Sequence, residues 1–159
     1  DAGLLHAVHA ARLQCKRGCS GCCVDDLTVF AEEAAPIRAH HAALLTEGAP
    51  HAIGACAFLD GRGACRIYAD RPYVCRTQGL PMRWLVERRE TAETGAERAV
   101  TVELRDICPL NETDVPSTDL PSEQCWTIGP VEERLALLQL SSAVRPARVA
   151  LRDLFVGKR

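Results

Sequence analysis

Aromatic residues are scarce in this 159-residue chain, at 2 Trp, 2 Tyr and 3 Phe. A protein that stacks bases on a row of rings needs more, so a single-strand nucleic-acid platform is excluded. Positive charge is not in excess either. Nineteen Lys and Arg stand against 21 Asp and Glu, a net charge of −2, which excludes a strongly cationic nucleic-acid binder. No uninterrupted apolar run approaches the roughly 18 residues of a membrane span, and no basic segment leads into an apolar signal-like stretch. The chain begins at Asp1 rather than Met, so that statement covers only the sequence as it stands and leaves room for a missing N-terminal piece. Wholesale disorder is excluded as well, because 47% hydrophobic and 25% charged residues are globular values. The length suits a single domain spanning 1–159, which would bury about 70% of its unfolded surface.

What the sequence has in abundance is cysteine, with nine residues. Four lie in Cys15-Lys-Arg-Gly-Cys19-Ser-Gly-Cys22-Cys23, followed by Cys56, Cys65 and Cys75, then Cys108 and Cys125. A secreted disulfide scaffold predicts an even count and a shorter chain. The odd count favours a reducing, cytoplasmic setting in which thiols hold metal. Nothing repeats at a fixed period and no tract is of low complexity.

Residues 2–13 read as an amphipathic helix capped by Asp1, with Leu4, Leu5, Val8 and Ala11 at helical spacing. Leu27, Val29 and Phe30 predict a short extended piece. A helix follows from about Glu32 to Thr46, with Pro36 in its first turn or kinking it and Gly48 as its stop. Phe58-Leu59 and Cys65–Tyr68 flank a Gly-rich turn and predict a hairpin. Pro72 opens a short helix carrying Cys75. Met82–Val86 and Ala99–Leu104 predict a second hairpin, and residues 108–128 read as loop. Pro130 opens a helix with Val131, Leu135 and Leu138 on one face, and Pro146 opens another ending near Gly157. The expected fold class is α+β: small strands, hairpins and helices around a cysteine-ligated metal centre at 15–111, with a C-terminal helical segment at 129–157.

Thiolate is a soft ligand that suits zinc and iron–sulfur clusters. Two thiolates on one tight turn can meet one ion at little extra cost in chain entropy. Cys19-Ser-Gly-Cys22 is such a turn, with Gly21 offering the positive φ that wrapping backbone around sulfur requires. A lone CxxC also marks thioredoxin-like redox sites, but those open a helix after a strand. Adjacent Cys22 and Cys23 carry more information, since neighbouring side chains diverge and one tetrahedral ion rarely takes both. The pair either divides between two sites or reaches two metals of one cluster. Cys15, Cys19, Cys22, Cys23, Cys56, Cys65, Cys75 and Cys108 supply enough sulfur for two four-coordinate sites. One [4Fe–4S] cluster would use four of them. With so few aromatics for a core, metal is expected to carry part of the folding free energy, on the order of 10 kcal/mol for a structural zinc.

The ordered segments Cys15–Cys23, Cys56-Ala-Phe-Leu-Asp, Gly63-Ala-Cys65-Arg-Ile-Tyr, Arg71-Pro-Tyr-Val-Cys75-Arg76-Thr-Gln-Gly79-Leu-Pro81 and Cys108-Pro-Leu-Asn111 resemble the YkgJ-like cysteine-cluster family. Its domain is described as zinc- or iron-chelating, and the resemblance covers about residues 15–111. It implies metal chelation by the same eight cysteines. A similar cluster occurs in bacterial flagellin lysine methylases, regarded as iron–sulfur proteins, although this chain has no obvious added catalytic domain. Cys125 lies outside the matched segments.

Other groups carry less. Cys65 and Arg71 fit a phosphatase spacing, yet the loop between them is bulky and lacks the glycines that let backbone N–H groups converge on phosphate. His6 and His9, and the pair His40-His41, are candidate ligands; His6 and His9 lie three apart on the expected helix but read as solvent-facing, and His51 is the histidine best placed to join a metal. At least one of Arg66, Arg71 and Arg76 is read as offsetting thiolate charge, with Arg71 and Arg76 bracketing Cys75. No Ser-His-Asp or paired-carboxylate arrangement stands out, and Asn111-Glu-Thr113 matches a glycosylation sequon by pattern only. The expected function is chelation of zinc, or alternatively iron, by a cysteine cluster. The competing readings are a [4Fe–4S] protein with redox or methyl-transfer activity and a metallochaperone using exposed thiols such as Cys15 or Cys125. The expected partner is the metal ion, with no nucleic acid and no membrane.

Overall fold

In the computed structural model, residues 1–91, 95–142 and 148–155 are described, and they fall in two compact units. The elements are α1 (Ala2–Val8), β1 (Thr28–Phe30), α2 (Ala31–His40), α3 (Ala42–Thr46), α4 (Tyr73–Thr77), β2 (Met82–Thr91), β3 (Glu97–Asp106), β4 (Trp126–Thr127), α5 (Pro130–Ser142) and β5 (Arg148–Ala150), linked by several single 3₁₀ turns. The fold is α+β. Among the described residues, no helix is long and apolar enough to cross a membrane.

One unit combines Asp1–Gln14 with Gly79–Pro130. The Asp1 carboxylate accepts from Gly3 N at 2.8 Å, satisfying a free N–H at the start of α1. The helix ends at Val8, earlier than the apolar spacing predicts. There the chain tightens into a turn, with Arg12 N donating to His9 O at 2.8 Å. His9 is buried rather than solvent-facing, because its Nε2 donates to Gln124 O at 2.7 Å. Strands β2 and β3 form an antiparallel hairpin in register from Met82↔Asp106 to Thr91↔Glu97, longer than the alternation predicts.

Residues 108–128 are not featureless loop. Trp126 and Thr127 pair in parallel with Met82 and Arg83. Arg105 staples the preceding turns to β3 by donating to Leu120 O, Ser117 O and Ser122 Oγ. Asn111 is fully buried, its Nδ2 donating to Gly79 O and its Oδ1 accepting from Gln14 N, each at 2.8 Å. That burial gives the asparagine after Cys108 a structural role.

The other unit combines Cys15–Gln78 with Val131–Arg159. Its core joins Val29, Ala34, Ile37, Leu45, Phe58, Ile67, Leu151, Leu154 and Phe155. Each fully buried large side chain contributes about 1.5–3 kcal/mol of transfer free energy. Strand β1 pairs antiparallel with β5, Val29 opposite Val149. A strand therefore occupies 148–150, where the pattern predicts helix; Pro146 and Gly157, the expected bounds of that helix, lie outside the described residues.

Pro36 sits inside α2, and the predicted long helix breaks later, at His41. There His40 Nδ1 and His41 Nε2 bind the two oxygens of Asp70 at 3.0 and 2.9 Å. Adjacent residues of a regular helix point about 100° apart, so meeting one carboxylate requires the break. Helix α5 runs as expected from Pro130, but it turns Gln139 inward and leaves Leu137, Leu138 and Leu140 exposed. Leucines on all sides of this helix leave its buried face undetermined by periodicity.

Candidate metal centre

Cys15 to Cys23 form two successive turns, closed by Cys19 N donating to Lys16 O and Cys23 N donating to Ser20 O, each at 2.9 Å. The positive φ in this loop falls at Gly18, at +88°, and not at Gly21. A second tight turn packs against it. Asp60 Oδ1 accepts from Arg62 N and Ala64 N at 2.8 Å, and Leu59 bridges Cys65, so the predicted hairpin is reduced to one bridge. A Cβ on Gly63 would lie 3.3 Å from Gly18 O, and its φ is +75°, so glycine is required there twice over. Cys75 rides on α4, which opens after Pro72 as expected. Glu33 joins the starts of two helices: Oε2 accepts from Phe30 N and Oε1 from Tyr73 N.

These loops bring seven thiols, Cys15, Cys19, Cys22, Cys23, Cys56, Cys65 and Cys75, onto one cavity of about 690 Å³ within this unit. Cys22 and Cys23 both line this cavity, although they are adjacent in sequence. Cys108 belongs to the other unit, where it precedes a 3₁₀ turn, and Cys125 is buried there with its Sγ near Pro121 O, so Cys125 is not an exposed thiol. All nine cysteines are free of disulfides. His51 does not line the cavity; its backbone carbonyl accepts from Arg152. Among the described residues, no group of three or more His, Cys, Asp or Glu side chains stands ready to hold an ion, so the sulfurs surround a space and would have to close on a metal.

The thiols differ in acidity. The Cys23 thiol donates to Cys22 and brings its pKa from 9.0 down to about 6, with a smaller contribution from the Arg71 charge. Cys23 is pushed up, first by that same hydrogen bond and then by burial. Burial raises Cys56 and Cys65, and it raises Cys75 to about 12 with help from the neighbouring Cys56 and Cys65 sulfurs. Crowded thiols of which burial raises Cys23, Cys56, Cys65 and Cys75 fit a dication chemically: bound charge would stabilise the thiolates that burial disfavours.

Among the arginines expected to offset thiolate charge, Arg66 and Arg71 line the cavity. Arg71 lies over the Tyr68 ring at 3.7 Å and favours the ionised forms of Cys22, Cys65 and Cys75. Arg66 donates to Ala49 O and Ala57 O. Arg76 is not in the lining and instead donates to Arg71 O and Ala69 O, which holds the Arg71 loop in place.

Residue spacing did not reveal Glu33, Asp60, Asp25 or Arg152 as parts of this framework. Asp60 had a local signal, an acceptor preceding a Gly-rich turn, and Glu33 one as the third residue of α2. Asp25 and Arg152 act across long stretches of chain, with Arg152 Nε donating to Asp25 Oδ1 at 2.9 Å. No curated protein and no solved structure matches the chain. A family model described as "CxxCxxCC: Putative zinc- or iron-chelating domain" matches residues 14–109, through every cavity cysteine and Cys108. With a match over more than half its length, the chain belongs to this CxxCxxCC family of metal-chelating domains.

Proposed function

We propose that the protein chelates zinc through thiolates of the cavity cysteines Cys15, Cys19, Cys22, Cys23, Cys56, Cys65 and Cys75. The observation that carries this reading is the gathering of seven free thiols, from three separate stretches of sequence, onto one cavity. A ligand role for Cys108 rests on the family match alone. A bound metal would supply the positive charge that lets buried thiols ionise. The chain's own part is to hold the sulfurs near one another, keep Cys22 ionised and place Arg71 where it offsets negative charge. If four thiolates close around each ion, no position stays open for substrate, and the reading is a binding protein rather than an enzyme. A reducing, cytoplasmic setting agrees with thiols kept free of disulfides.

The adjacent pair favours a second reading. Cys22 and Cys23 both face a cavity larger than one ion needs, as thiolates reaching different irons of a [4Fe–4S] cluster would. Anaerobic purification with elemental analysis and a visible spectrum separates the two. Stoichiometric zinc in a colourless protein supports the zinc reading. Iron with sulfide and a broad band near 400 nm supports the cluster instead, and a chain with neither refutes both.

A further inference from the structure

Asp25 and Arg152 stand outside the thiol set yet hold two of its segments together. The Arg152 guanidinium forks onto Asp25, with Nε to Oδ1 at 2.9 Å and Nη2 to Oδ2 at 2.8 Å. It also donates to the carbonyls of His51, Ala52 and Ala55, at 2.8, 3.3 and 3.0 Å. Asp25 Oδ2 also accepts from Gly54 N at 2.9 Å. Both side chains are mostly buried, at 12% and 19% exposure. The segment gathered this way, 51–55, leads directly into Cys56. Asp25 lies two residues beyond Cys23, and Cys56 N donates to Cys23 O at 2.9 Å. The Arg152 guanidinium thus carries five hydrogen bonds. Their common effect is to fix the backbone of Cys23 against that of Cys56.

We infer that Asp25 and Arg152 form a positioning pair that sets the Cys23 and Cys56 backbones at the separation needed for both sulfurs to serve one metal centre. This inference rests on the proposed metal-binding reading of the cavity. A fork with several donors is what the geometry uses. Lysine keeps the charge but cannot reach the carboxylate and three carbonyls together.

The test loads the full chain with zinc and times its transfer to a chromophoric chelator, for wild type, Arg152→Lys, Asp25→Asn and Ile37→Val. Ile37 is fully buried in the same core and its side chain makes no hydrogen bond, so its variant should lower the unfolding temperature only. Release from Arg152→Lys and Asp25→Asn should be about 10- to 100-fold faster, as for lost outer-shell support, while Ile37→Val releases at the wild-type rate. Cobalt substitution supplies a readout that general stability does not move: the thiolate-to-metal bands should change in Arg152→Lys and stay unchanged in Ile37→Val. Release within about twofold of wild type in both clamp variants, or equally fast release from Ile37→Val, overturns the inference while leaving the metal site standing. A wild-type chain that takes up no zinc overturns the zinc reading on which the inference rests.

Discussion

The ionisation of Cys22 offers a sharp test of the site's electrostatics. The Cys23 thiol, as hydrogen-bond donor, is the largest cause of its fall from 9.0 to about 6. At pH 7 a thiol of pKa 6 is about nine-tenths ionised, whereas one at 9.0 is about one-hundredth ionised, a ratio of about 90. The lower-pKa thiolate is also a weaker nucleophile: a Brønsted coefficient of about 0.45 over three units costs about 20-fold, leaving a net gain of only about fourfold at pH 7. Rate at one pH is therefore a poor assay and the pH midpoint a good one. Initial-rate exchange of the metal-free chain with a small aromatic disulfide, with helices verified by circular dichroism, should show a phase with a midpoint near pH 6. Cys22→Ser should remove that phase. Cys23→Ala should return the midpoint most of the way toward 9, while Arg71→Met, which removes the smallest contribution, should move it slightly. A wild-type midpoint above 8 in the folded chain, or one unchanged in Cys23→Ala, would refute the reasoning.

Three further outcomes are expected. Phe58→Ala removes a fully buried ring 5.1 Å from that of Phe155, and should cost about 3–5 kcal/mol in denaturant unfolding. A loss below about 1 kcal/mol would contradict the packing. Arg105→Met frees the turns at 117–122 and leaves Glu103 without its 2.6 Å partner; about 3 kcal/mol should be lost, with hydrogen exchange rising in that segment first. Asp60 is held below the usual carboxylate range by the N–H groups of Ala64 and Arg62, so its stabilising effect is complete above its unfolded pKa and is lost as pH falls through the lower folded one. Asp60→Ala should thus be less stable than wild type at pH 7, with the gap closing at acid pH; a gap independent of pH would count against the carboxylate's role.

Local chemistry made part of this molecule legible from its residues. The Asp1 cap, the Pro72 helix start, the hairpin of Met82–Val86 with Ala99–Leu104 and the α5 start each rest on a few neighbouring residues, and each is present, the hairpin running longer than expected. The cysteine spacing pointed to eight metal ligands, enough for two four-coordinate sites or one cluster, and seven of those eight cysteines line one cavity. Where the sequence misled, a distant partner had decided the matter. Asp70 breaks the helix at His41, Gln124 buries His9, and pairing with β1 makes a strand of 148–150. Two-residue β4 is too short to carry a period at all. Gly21 was a reasonable choice for positive φ, but in this region the positive φ falls at Gly18 and Gly63, and only Gly63 also faces a close backbone oxygen, that of Gly18.

Metal content, set against the thiols that hold it, tests the central claim most directly. Elemental analysis of the purified chain and of Cys22→Ser, Cys23→Ser, Cys56→Ser and Cys75→Ser should find stoichiometric zinc or iron in the wild type and a marked loss in every variant. Full metal occupancy in the four variants, or a metal-free wild type with every thiol titrating freely, would contradict it.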